Sequence, residues 1–244
     1  MNTSGKILFN PITPKIVLGV AAHPDDLDFG ASGAMAAFAK DGASVHYLIL
    51  TDGSKGSDDT TMTPEKLTEM RRQEQRDAVA HFGGAGVEFL DYPDGQLEVT
   101  MELKKDIIKA IRTLKPDVVV TMDPTMVYSS LRGMINHPDH RAAGQATLDA
   151  VYPLARDHMS FPELFEQGYQ PHKVKTVLLI NFEHNNFAVN ITDTIDFKMK
   201  ALEAHVSQMP ELEKTQAWMR DLASKAGANN GYTYGEAFMR IDID

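Results

Sequence analysis

Two short segments hold the residues best suited to chemistry: His23-Pro24-Asp25-Asp26 and His137-Pro138-Asp139-His140. Each is His-Pro-Asp followed by a side chain that can ligate a metal. Proline suits the first position of a helical turn, where its missing N–H would have no intrahelical partner anyway. A turn starting there sets residues three apart on one side. His23 and Asp26 can then converge on one ion, with His140 reaching it from the second segment. Two imidazoles and one carboxylate suit Zn2+ with one position left for water. Bound zinc lowers the pKa of that water to about 7, which makes hydroxide available at neutral pH. Asp25 lies beside these ligands as the candidate general base, although it also suits the cap of the following turn. His137, as an imidazolium, can stabilise an oxyanion and protonate a leaving amine, with Asp139 to orient it and hold it charged. A lone His-Pro-Asp is usually only a turn. Two copies, each after an expected strand, favour the metal site.

The elements that must bring the two segments together are legible in the apolar pattern. Residues 16–22 form a continuous apolar run, as a buried parallel strand requires. Further strands are expected at 45–51, 87–92, 117–122 and 176–182, and helices at 31–40, 64–82, 101–114, 139–151 and 194–205. Thr63-Pro64 opens the second of these helices and Gly83-Gly84 closes it. This alternation predicts a Rossmann-like α/β fold, a mostly parallel sheet with helices on both faces. Ligands bind such sheets beyond the carboxyl ends of the strands, where the strand order reverses. The loops after the first and fourth strands carry the two segments and are expected to meet there.

Composition narrows the classes. The 244 residues include 34 acidic and 24 basic ones, for a formal net charge of -10, and no basic patch suited to nucleic acid. There is no cysteine, hence neither a disulfide nor a thiolate ligand or nucleophile. No apolar run approaches the roughly 20 residues needed to span a bilayer. Residues 1–14 lack the apolar core of a signal peptide, and a cytoplasmic protein of one domain, residues 1–244, is expected.

In combination, Ala22-His23-Pro24-Asp25-Asp26-Leu27 and His137-Pro138-Asp139-His140 resemble the marks of the PIG-L/LmbE-like family of zinc-dependent N-acetylglucosamine deacetylases. Thr51-Asp52-Gly53, Arg71-Arg72-Gln73-Glu74, Pro93-Asp94-Gly95 and His205-Val206-Ser207-Gln208 add to the resemblance, which spans roughly residues 15–210. It implies an LmbE-like fold and a hydrolase that removes an acyl group from a small N-acyl amino sugar or related amide. It also implies His23, Asp26 and His140 as metal ligands, Asp25 as base and His137 as oxyanion and proton-transfer group. Arg71 resembles the arginine that meets the sugar or phosphate part of the substrate, with Arg72 as the adjacent alternative. A homo-oligomer is implied as well. The chain departs from the family at Leu27, where glutamate is commonest, and Asp28 can fill that place. Residues 123–136 resemble the family's variable loop that shapes substrate choice and are expected to act as a lid. His205 fits either a place at the site or the packing of a helix end. The donor set accepts divalent ions other than Zn2+.

Three other functions compete with this one. A nucleotide-binding Rossmann protein needs a G-x-G-x-x-G turn where His23 to Asp28 stand. A non-haem iron oxygenase shares the two-histidine, one-carboxylate set but is expected on a β-barrel scaffold. An inactive metal-binding regulatory protein is disfavoured by the full set of candidate catalytic groups.

Overall fold

The computed structural model describes residues 11–130 and 132–244. Most of the polar N-terminal stretch considered above, residues 1–10, lies outside them. Its centre is β1 (Ile16–Ala21), paired in parallel with β2 (Ser44–Thr51) on one side and β4 (Val118–Met122) on the other. β3 (Gly86–Tyr92) adds to β2 in parallel, and β7 (Thr176–Ile180) to β4. Between β4 and β7 the chain forms a small antiparallel hairpin, β5 (Tyr128–Ser129) and β6 (Met134–Ile135). At the far edge β8 (Phe187–Asn190) and β9 (Gly235–Asp242) run antiparallel, giving the seven-strand order β3-β2-β1-β4-β7-β9-β8.

The continuous apolar run of β1 is explained by burial on both faces. Val17 and Ala21 point into one core, while Leu18 and Val20 point into the other. The first core is covered by α1 (Asp26–Gly30), α2 (Ser32–Lys40) and the later helices α7 (Ile195–Ala204) and α8 (Leu212–Ala228). Val79 of α3 (Pro64–His81) joins it. The second core lies under α4 (Met101–Leu114), α5 (Pro138–Val151) and α6 (Pro162–Glu166). Local signals act as expected. Thr63 caps α3 by accepting from Lys66 N at 3.3 Å, with Pro64 in its first turn. Among the described residues no helix is long and apolar enough to cross a membrane.

The apolar pattern predicts nothing beyond residue 205, where α8 and β9 form, and α1, the β5–β6 hairpin, α6 and β8 are likewise outside the expected elements. β9 resists reading because it buries charge in a strand: Glu236 is 6% exposed. Its carboxylate accepts from Gly33 N and Ala34 N in the first turn of α2, where an anion is favoured. Lys198 Nζ of α7 lies 2.6 Å from the same carboxylate.

The strand order reverses beside β1, so the loops after β1 and β4 share one end of the sheet. α5 approaches that end closely. A Cβ on Gly144 would stand 2.3 Å from the backbone oxygen of Met122, which has no rotamer by which to yield. Gly144→Ala should push α5 away from β4 and cost about 1–3 kcal/mol. Because α5 carries the second His-Pro-Asp-His segment, site integrity should suffer too. Urea denaturation checks the first effect, and wild-type stability in the variant would contradict this packing.

Candidate active site

Both segments fold as turns entering helices. After β1, His23 N donates to Asp26 Oδ2 at 2.8 Å, which curls Asp26 back under His23. Pro138 occupies the first turn of α5, and His137, its N-cap, accepts from Asp139 N at 3.2 Å through Nδ1. The two turns meet through Asp26: its Oδ2 lies 3.5 Å from His23 Nδ1 and its Oδ1 lies 3.0 Å from His140 Nε2. His137 completes a triangle of imidazoles, with ring centroids 4.7 Å from His23 and 5.3 Å from His140. One donor atom each from His23, His137 and His140 lies within 4.8 Å of the others.

The donor set suits a divalent cation. Ligand bonds of 2.0–2.1 Å in a tetrahedron put neighbouring donors about 3.3 Å apart, close to the two contacts of Asp26. The charge balance also asks for a cation, since Asp26, Asp94 and Asp139 crowd His23 in a buried place. Burial alone would lower the pKa of His23. Hydrogen bonds to Asp139, Asp26 and Asp94 together overcome it and push the ring up to about 12. His140 is likewise raised against burial by the Asp26 carboxylate, and Asp26 itself is held well below the usual carboxylate range by the two histidines despite its burial. A metal ion would take the place of these protons, so its binding should strengthen with rising pH.

Asp25 is held in an unusual backbone conformation, φ 95°. Its N–H donates to Gln75 Oε1 at 2.9 Å, and Arg71 Nη2 lies 3.4 Å from its carboxylate. Burial pushes the carboxyl up to about 6, against the opposing effect of Arg71.

Two expectations are corrected by this geometry. The Asp139 carboxylate does not orient His137. It lies 3.2 Å from His23 Nε2 and accepts from Gly95 N and Leu97 N, so it fixes the β3–α4 loop against His23. His137 is not held charged either, because desolvation and the neighbouring His23 lower its pKa more than Asp139 raises it. Arg71 lies against the candidate site, 3.4 Å from the Asp25 carboxylate and 3.8 Å from that of Asp94. It is 4% exposed and donates to the carbonyls of Gly53 and Lys55 and to that of Pro24, so it ties the β2–α3 loop to the turn after β1. Arg72 pairs with Asp91 and stacks over Phe89.

Other residues of the site had weak sequence signals. Asp94, 3.2 Å from His23 Nε2, sits in a turn after β3 that composition alone explains. Gln75 is one helical turn after Arg71, the spacing that puts both on the face toward the site. Its Nε2 donates to Asp28 Oδ2 at 2.7 Å. His205 resolves to a buried support: fully enclosed, it meets the same Asp28 oxygen at 2.8 Å. Asp28 thus fills a supporting role while Leu27 packs in the core.

Residues 18–151 match the family model described as PIG-L: GlcNAc-PI de-N-acetylase. The chain is 32% identical over 230 residues to a diacetylchitobiose deacetylase of Thermococcus kodakarensis, covering 93% of this chain and 83% of the relative. It is 27% identical over 203 residues to a probable N-acetyl-alpha-D-glucosaminyl L-malate deacetylase 2 of Bacillus anthracis, covering 79% and 80%. A solved structure of N,N'-diacetylchitobiose deacetylase from Pyrococcus horikoshii superposes with a TM-score of 0.86 at 30% identity, covering 94% of this chain and 84% of that one.

Proposed function

The chain belongs to the PIG-L family of de-N-acetylases, and from that premise we propose that it hydrolyses the acetamido group, a non-peptide C–N bond, of a small N-acetylglucosamine-containing substrate. The observation that carries the reading is the Asp26 carboxylate set between His23 and His140 with the Asp25 carboxyl alongside. One LmbE-like domain over residues 1–244, homo-oligomeric and cytoplasmic, belongs to the same proposal.

In this reading His23 through Nδ1, Asp26, and His140 through Nε2 would hold a divalent cation, and Zn2+ suits two imidazoles and one carboxylate. Such an ion acidifies a water and polarises a carbonyl. Asp25, with a carboxyl pushed up to about 6 by burial, is ionised at neutral pH yet basic enough to take a proton from the attacking water. The backbone N–H of Asp139 can only donate, so His137 Nδ1 is an acceptor and the ring proton sits on Nε2. That N–H is the donor for the oxyanion formed as water adds to the amide carbon. The proton collected by Asp25 passes to the departing nitrogen as the C–N bond breaks. The products are the free amine and acetate, whose remaining proton is lost to solvent. Arg71 keeps Asp25 in place through the Pro24 carbonyl and the carboxylate itself.

A panel of N-acyl sugars and simple amides, assayed for released amine with and without a chelator, tests the proposal. Amine should appear from N-acetylglucosaminyl compounds, stop on chelation and return with added Zn2+. No release from any of them by metal-loaded protein, or release indifferent to chelation, would refute it.

A further inference from the structure

Resting on the reading of His140 as a metal ligand, we infer that Asn136 is a positioning residue that fixes the His140 tautomer and ties the root of the 128–135 hairpin to that ring, so that cation binding and hairpin placement are linked.

Asn136 is 3% exposed and uses every polar group it has. Its backbone N–H donates to Val127 O at 2.9 Å, and its carbonyl accepts from Arg141 Nη1 at 2.6 Å. The side-chain amide lies 2.7 Å from Met126 O on one side and 3.0 Å from His140 Nδ1 on the other. A carbonyl oxygen can only accept, so the NH2 end of the amide must face Met126. The amide oxygen therefore faces His140 Nδ1, and that nitrogen must carry a proton. The remaining lone pair is then on Nε2, which lies 3.0 Å from Asp26 Oδ1. Two lone pairs at that distance repel. The contact is favourable only with a proton or a cation between them, and Asn136 has already assigned the other ring nitrogen. Partners of this kind set both the orientation and the basicity of a ligating histidine.

The same amide closes the base of the hairpin. Met126 and Val127 precede β5, Asn136 follows β6, and the two bonds from Asn136 join these ends. The tip is held elsewhere, by Glu183, which meets Ser129 Oγ and lies 3.6 Å from Arg132 Nε. Shifting the hairpin root thus disturbs the acceptor of His140 Nδ1–H, and fixing His140 on an ion steadies the root. Linkage of this kind is reciprocal in free energy.

The test measures Zn2+ affinity by competition with a chelating indicator, and hydrogen exchange of residues 126–135 with and without Zn2+. In the wild type, Zn2+ should slow exchange at the hairpin root. Asn136→Ala should bind Zn2+ about 10–100-fold more weakly and lose the Zn2+-dependent protection. Asn136→Asp keeps an acceptor for Nδ1–H but turns a second acceptor toward Met126 O. It should hold Zn2+ near wild-type strength while the hairpin exchanges faster, a separation that general destabilisation would not produce. Wild-type Zn2+ affinity in Asn136→Ala, or hairpin exchange indifferent to Zn2+ in the wild type, overturns the inference. His140→Ala separates the two levels. If that variant keeps stoichiometric Zn2+, the ligand assignment is what fails. If it loses Zn2+ while Asn136→Ala binds normally, only the coupling fails.

Discussion

Asp25→Asn should keep its metal and lower kcat by about 10²–10⁴-fold, the usual contribution of a positioned general base. The substitution is nearly isosteric, and asparagine is among the few residues that tolerate positive φ, so the φ of 95° at this position is no obstacle. The N–H bond to Gln75 and the approach of Arg71 survive it. What disappears is a group able to accept a proton. The pH profile should show this. Burial pushes the Asp25 carboxyl up to about 6, so kcat/KM should fall as pH drops through that region and the carboxylate protonates. The residual activity of Asp25→Asn should lack that limb. The sign for stability is opposite. Between the ordinary aspartate pKa and about 6 the folded protein binds more protons at this position than the unfolded chain, so ionising Asp25 costs stability as pH rises. Metal-free Asp25→Asn should therefore be no less stable than wild type at pH 7. Near-normal turnover with an unchanged acid limb would assign the base elsewhere.

His140→Ala should lose metal and activity together. The side chain supplies one of two imidazoles facing the Asp26 carboxylate, and removing it leaves that carboxylate with His23 alone. Metal content after dialysis, measured beside turnover, reads both consequences. His137→Ala is the informative partner, because His137 belongs to the imidazole triangle while its Nδ1 is taken by the Asp139 backbone. It should retain metal and lose turnover. The opposite pattern, metal kept in His140→Ala and lost in His137→Ala, would exchange their roles. In the wild type, metal affinity should weaken as pH falls, since protons bound at His23 and His140 compete for the same lone pairs.

The mostly parallel sheet and its alternating helices are legible in the residue pattern, because burial on two faces marks the central strands: β1 can be read from one apolar run. The two turns that carry the candidate site are legible as well, since His-Pro-Asp at the carboxyl ends of two strands is a local pattern whose chemistry depends on residue type. The partners of those residues emerge only when distant segments come together. Asp139 is within two residues of both His137 and His140, yet its carboxylate turns to His23, 116 residues away. Arg71 resembles a substrate-facing arginine in its helix, and its burial follows only from the two loops that turn the Gly53, Lys55 and Pro24 carbonyls onto it. The C-terminal strand escaped pattern reading because Glu236 is buried only by virtue of Lys198 and the start of α2. Burial leaves a periodic trace along the chain. Hydrogen bonds and ion pairs between distant segments leave none, because each partner is an ordinary polar residue until the fold brings the two within reach.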